Sequence, residues 1–250
     1  MLKKRVIPTL LLSGNRVFKG KKFNSYIDTG DPVTTLRVLN AQDADELVFI
    51  NISDREDINY LPQLLKIASK ECFMPLTVGG KLNDINYMKT LLKYGADKLL
   101  ITSSCYSNPK IVAKAVDEFG SQCIVAGIDY KFQNNIRKPS IEKGSVDLDI
   151  PIYDYIRSII DLGVGELFFN SIDHDGMMNG CDLDFIKNLS SKLPIPFIYS
   201  GGVGNFLHLE QALKFSDAVS CGSLFLLSDN SPMRARSYLR NQNFPIRKLK

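Results

Sequence analysis

Short β-rich apolar runs alternate with amphipathic stretches along the whole chain, and few folds accommodate that rhythm eight times over. The runs fall at 5–11, 46–52, 75–78, 98–102, 123–128, 166–170, 196–200 and 218–221. Helical periodicity lies between them, for example at 61–70, 85–94, 110–119, 152–162, 183–192 and 207–215. Asp31-Pro32 reads as an N-cap with proline at the first helical position, and Asn108-Pro109 reads the same way before the fourth helix. Strand–helix alternation argues a parallel sheet with helical crossovers. Eight units close naturally into a (β/α)8 TIM barrel, whereas an open doubly wound sheet usually has fewer strands. No linker or low-complexity segment breaks the pattern, so residues 1–250 are expected to form a single barrel domain.

The two halves resemble each other. Glu46-Leu47-Val48-Phe49 recurs 120 residues later as Glu166-Leu167-Phe168-Phe169. Asp97 pairs with Asp217 and Ser103 with Ser223 at the same offset, while Gly79-Gly80 and Gly201-Gly202 align at 122. Duplicated half-barrels explain this better than chance likeness between βα units.

The bulk numbers exclude several classes. A net charge of +4 is too small to argue for nucleic acid and suits an anionic small substrate. The basic start, Met1 to Arg5, precedes an apolar run that Pro8 interrupts and that lacks a small-residue cleavage site, so a first barrel strand is the better reading than a signal peptide. No segment has the roughly 18 apolar residues of a membrane span. The five cysteines are scattered without a CxxC; Cys105, Cys123 and Cys221 sit among apolar or small residues, as reduced structural thiols of a cytoplasmic protein do. With His174 and His208 as the only histidines, no metal site is expected, and no cofactor is called for.

Barrel chemistry gathers where the strands end. Gly80 follows the third strand and Gly202 the seventh; Thr102-Ser103 closes the fourth and Gly222-Ser223 the eighth. Glycine lets backbone N–H groups approach a phosphate and hydroxyls add donors. Gly176 could join the second cluster. Two such clusters in duplicated positions suggest a ligand with a phosphate at each end, although each glycine alone would serve a tight turn. Asp129 ends the fifth strand as a candidate general acid or base, or equally a loop-holding carboxylate. Its first-half counterpart is Leu11. Asp173 and Asp175 are further acids near the mouth. At the opposite face Arg5, Glu46, Lys98 and Glu166 begin strands one, two, four and six. They could form a neutral ring, read either as a structural network or as a gate.

Segments spread over essentially the whole chain resemble the cyclase subunit of imidazole glycerol phosphate synthase. They include Lys4-Arg5-Val6-Ile7, Val17-Phe18-Lys19-Gly20, Gly30-Asp31-Pro32-Val33, Gly95-Ala96-Asp97-Lys98 and Ser171-Ile172-Asp173-His174-Asp175-Gly176. The resemblance implies a partner glutaminase on the N-terminal face and ammonia travelling through the barrel. It implies that Arg5, Glu46, Lys98 and Glu166 are the charged gate. Asp97 matches a position that contacts the glutaminase, and Lys19 matches a mobile-loop lysine near the ligand.

Departures carry as much weight. The family uses two aspartates; Asp129 is present, but Leu11 replaces the other and cannot transfer a proton. Asn51 stands where an aspartate is usual, Lys81 replaces the third glycine of the first phosphate cluster, and 131–149 matches poorly. An intact inlet with an altered site resembles the paralogous branch of acetamidino-sugar modification. There, barrel and glutaminase supply ammonia to a sugar amidotransferase that acts on surface polysaccharide such as lipopolysaccharide. Alternatives are a histidine-biosynthesis cyclase, with Asp175 or a water replacing the lost acid, and a non-catalytic ammonia conduit.

Overall fold

The computed structural model describes residues 3–53 and 60–247; Met1 and Leu2 of the opening run lie outside them. Eight parallel strands form the barrel: β1 Arg5–Ser13, β2 Leu47–Asn51, β3 Leu76–Gly79, β4 Lys98–Ile101, β5 Ile124–Gln133, β6 Glu166–Ser171, β7 Phe197–Ser200 and β8 Ala218–Cys221. Each pairs with the next, β8 pairs with β1, and β5 with β6 completes the closure. Around them lie α1 Pro32–Ala41, α2 Tyr60–Glu71, α3 Ile85–Lys93, α4 Pro109–Phe119, α5 Ile152–Ile160, α6 Leu183–Ser190, α7 Phe206–Leu213 and α8 Pro232–Asn241.

The strand period of two sorts residues between layers. In β1, Val6, Leu10 and Leu12 pack outward into the large core beneath the helices. The intervening residues Arg5, Ile7, Thr9 and Leu11 run up the inside from base to mouth. The same reading gives Glu46–Val48–Ile50, Lys98–Leu100–Thr102 and Glu166–Phe168–Asn170. The apolar middle layer is a separate inner cluster of Ile7, Val48, Leu100, Val125, Phe168, Ile198 and Ala218. A residue at the base and a residue at the mouth are therefore joined by one inward-facing row on each of these strands.

Several sequence expectations are corrected. Strands β1 and β5 run past 11 and 128, because each continues into an antiparallel hairpin folded over the mouth. The hairpin arms are Arg16–Lys21 with Asn24–Gly30 after β1, and the end of β5 with Ile136–Ile141. Asn134 and Asn135 both have positive φ, as a two-residue hairpin turn requires. Asp31 caps α1 by accepting from the Thr34 N–H, but Asn108 makes no side-chain cap, since the short helix Ser104–Ser107 runs directly into it. Cys123 is only half-buried, in the turn at the base of β5, while Cys72, Cys105 and Cys221 are buried; these and Cys181 are free thiols. No helix among the described residues is long and apolar enough to cross a membrane.

The duplication is visible in three dimensions. Both β1 and β5 are followed by hairpins, and both β4 and β8 by four-residue helices, Ser104–Ser107 and Ser223–Leu226. The Asp97 carboxylate accepts from the Leu76 N–H at 2.8 Å, and Asp217 accepts from the Phe197 N–H at 3.0 Å, so the paired aspartates anchor equivalent strands.

Candidate active site

At the mouth lies a cavity of about 370 Å³, lined on its polar side by Asp129, Asn170, Thr102, Ser103, Asn51 and Lys81. That volume suits a small ligand. The first expected cluster, Gly80, Lys81, Thr102 and Ser103, is gathered on one wall. A Cβ at Gly80 (φ +94°) would collide with the Asn51 carbonyl, so only glycine fits this close crossing. Lys81 is exposed and itself left-handed, φ +58°, a conformation that glycine adopts without strain. Ser103 Oγ accepts from the Glu142 N–H at 3.2 Å, drawing the second hairpin over the cavity.

Asp129 keeps part of its surface on the cavity, yet protein crowds it on all other sides. Burial raises its pKa to about 7; nearby Asp175 pushes the same way and the Asn170 side chain opposes. A carboxyl near neutrality can hold or release a proton at working pH. Leu11 lines the same cavity on the diametrically opposite strand. The Asn51 side-chain oxygen accepts from the Ser53 N–H at 3.0 Å.

The second cluster is arranged differently. Lys19, on the first hairpin, lies with its stem against Gly222 and its ammonium 2.6 Å from Asp175. Both side chains are nearly enclosed, Lys19 at 5% and Asp175 at 12% exposure. The Asp175 carbonyl also accepts from Lys22 N–H at 2.8 Å, and Gly176 abuts the Gly20 carbonyl. Gly202 lies under the Gly180 carbonyl. Ser223 Oγ is buried without a hydrogen-bond partner. Lys19, Gly176 and Gly222 thus meet at the first hairpin, whereas Gly202 packs against Gly180 and His174, and none of these residues or Ser223 lines the cavity that holds Asp129. Asp175 is held by Lys19 rather than presented to that cavity. Asp173 is likewise engaged, accepting from the Phe132 N–H at 2.6 Å.

At the base, the four expected charges form one closed ring. Arg5 donates to Glu46 at 2.7 Å and to Glu166 at 2.5 Å; Lys98 lies 2.8 Å from Glu166 and 3.6 Å from Glu46. Burial alone would lower the Arg5 pKa, but Glu166 and Glu46 outweigh it and hold it above the usual guanidinium range. Asp97 is exposed at this same end. Among the described residues no group of histidine, cysteine and carboxylate side chains could hold a metal ion.

Sequence reasoning missed Asn170, Phe168, Glu142 and the hairpin aromatics Phe23 and Tyr26, all of which line the cavity. The half-barrel repeat held the signal for Asn170, whose counterpart 120 residues earlier is Ile50. Comparison with known proteins agrees with the fold. Residues 5–229 match the family described as histidine biosynthesis protein. The chain is 37% identical over 252 residues to imidazole glycerol phosphate synthase subunit HisF of Clostridium botulinum (strain 657 / Type Ba4), covering 99% of this chain and 100% of that relative. Identity to the subunit of the same name from strain Kyoto / Type A2 is 36%, with the same coverage.

Proposed function

This chain belongs to the histidine biosynthesis protein family, and from that premise we propose that it is the ammonia-accepting barrel of a glutaminase-coupled pair, turned from ring closure toward amidotransfer on a sugar. One observation carries the reading: Leu11 faces the cavity where a second carboxylate would be needed opposite Asp129. A single carboxyl near neutrality can donate or accept one proton, but it cannot serve both as acid and as base on opposite faces of one ligand. Asp175, the nearest substitute, is neutralised by Lys19.

In this reading the glutaminase docks on the N-terminal face, where Asp97 is exposed. The ring of Arg5, Glu46, Lys98 and Glu166 admits ammonia, which rises past the inner layer to the mouth. Gly80, Lys81, Thr102 and Ser103 hold one anionic end of a phosphorylated ligand; Lys19, Gly176, Gly202, Gly222 and Ser223 offer a second anion site once the hairpin shifts. The recipient is an N-acetyl group on a surface-polysaccharide sugar: ammonia adds to the acyl carbon, the acyl oxygen leaves as phosphate after phosphorylation by a nucleoside triphosphate on a separate sugar amidotransferase, and an acetamidino group remains. Deleting the protein from cells that make acetamidino sugars should abolish them; normal levels would sink the reading.

The second reading is a histidine-pathway cyclase, and the comparisons weigh toward it, because the similar proteins carry that name. It predicts that this chain rescues growth without histidine in cells lacking their own cyclase subunit. The redirected reading predicts no rescue.

A further inference from the structure

The second hairpin separates two hollows. Residues alternate between its faces, so Asp129 turns toward the mouth cavity while Phe132, with Arg137 opposite it in register, turns to the outer side. Against that outer side lies a groove of about 380 Å³, lined in part by Phe132, Arg137, His174, Asp182 and Asp184. It shares no lining residue with the mouth cavity, and its volume is that of a small-ligand site.

The polar groups of this groove are held in place by the protein itself. Arg137 donates Nε and Nη2 to Asp182 at 2.8 and 2.6 Å, and its guanidinium lies 5.1 Å from the ring centroids of both Phe132 and Phe185. Its Nη1 has no acceptor among the described residues and is not buried, so two N–H groups are free to meet a ligand. His174 pairs through Nδ1 with Ser171 Oγ at 2.8 Å, which leaves its unburied Nε2 for the groove. Asp184 is exposed and supplies a carboxylate acceptor. Phe132 keeps 46% of its surface although Arg137 covers one face of the ring, so the other face is open.

Charge decides the class of ligand. Asp182 cancels Arg137 and Asp184 leaves the groove net negative, so a phosphate or carboxylate is disfavoured. A cation would find the Phe132 ring already facing Arg137. A neutral molecule with an apolar face and hydroxyls at its edge meets every group. A pyranose is such a molecule: its C–H face suits the negative face of an aromatic ring, and its hydroxyls both accept and donate. We propose that this groove is a saccharide subsite, in which an uncharged hexopyranose stacks on Phe132, accepts from Arg137 Nη1 and donates to Asp184, with His174 Nε2 reaching a further hydroxyl. Phe132 lies about 10 Å along β5 from Asp129, so a sugar seated there is held at the rim of the mouth. The assignment rests on the amidotransfer reading and adds to it the surface by which this chain holds the carbohydrate.

Heteronuclear NMR of the whole protein tests this, with the methyl glycosides of glucose, galactose and N-acetylglucosamine as probes. At least one should bind with a Kd of about 1 mM or tighter. It should move the Arg137 side-chain N–H and Phe132 ring signals while the Lys81 and Ser103 amides stay still. Phe132→Ala and Asp184→Asn, each altering an exposed group, should weaken binding about tenfold or more, and Phe132→Tyr should retain it. Thermal melts verify that the variants are folded. No binding of any probe, shifts at Lys81 and Ser103 instead, affinity unchanged in both weakening variants, or displacement of the sugar by inorganic phosphate would overturn the subsite. Turnover of the histidine-pathway nucleotide by the same preparation would instead overturn the parent reading.

Discussion

Replacing Lys19 by methionine removes the cation from Asp175 and leaves a carboxylate with 12% exposure beneath the first hairpin. The pair is 2.6 Å apart and almost fully desolvated, so breaking it from one side costs about 3–5 kcal/mol. Asp175→Asn strands the ammonium instead, at similar cost. The double variant leaves no buried charge, and its cost should be far below the sum of the two, giving a coupling energy of about 3 kcal/mol. The cost has an address, because the hairpin is tied to the same residue by the Lys22 N–H bond to the Asp175 carbonyl. Amide exchange in Arg16–Lys21 and Asn24–Gly30 should therefore accelerate by about two decades or more in either single variant and recover in the double. A coupling below about 1 kcal/mol, or unchanged exchange in the hairpin, would refute the idea that this pair fastens the mouth.

Asp129 predicts a pH effect whose sign is fixed by its raised pKa, about 7 against 3.8 when unfolded. Between about pH 4 and 7 the folded state keeps a proton the unfolded state has lost, so stability falls as pH rises through that window. Asp129→Asn should flatten the profile and stabilise the protein above pH 7 by as much as about 4 kcal/mol in urea unfolding; an unchanged profile would contradict the burial argument. Lys81→Gly relieves a left-handed non-glycine residue and should raise stability by about 1 kcal/mol while weakening inorganic phosphate binding; a loss of stability would refute the strain. Glu166→Gln leaves Arg5 and Lys98 facing one carboxylate and should cost about 3–5 kcal/mol, and a cost below about 1 would contradict the closed ring.

The barrel and its ring were legible because they depend on periodicity. Arg5, Glu46, Lys98 and Glu166 each stand at the start of an apolar run, and parallel strands in register bring such positions to one level. The hairpins were not legible, since their arms Arg16–Lys21 and Asn24–Gly30 mix charges with few apolar residues and Lys22 and Phe23 supply a positive-φ turn without glycine. Consequently Lys19 was expected near a ligand, and its partnership with Asp175, 156 residues away, could not be read from spacing. Asn170 was overlooked for a different reason. One asparagine in a buried strand carries no chemical signature until the register sets it beside Asp129 and leaves its oxygen unpaired.

The most direct measurement is ring closure itself, with purified protein, ammonium and the histidine-pathway bisphosphate nucleotide, followed by loss of the substrate chromophore. A single carboxyl at Asp129 predicts no turnover by the wild-type chain and measurable turnover once Leu11→Asp restores the second acid. Wild-type turnover near that of a working cyclase would contradict the redirected role and return the chain to histidine biosynthesis.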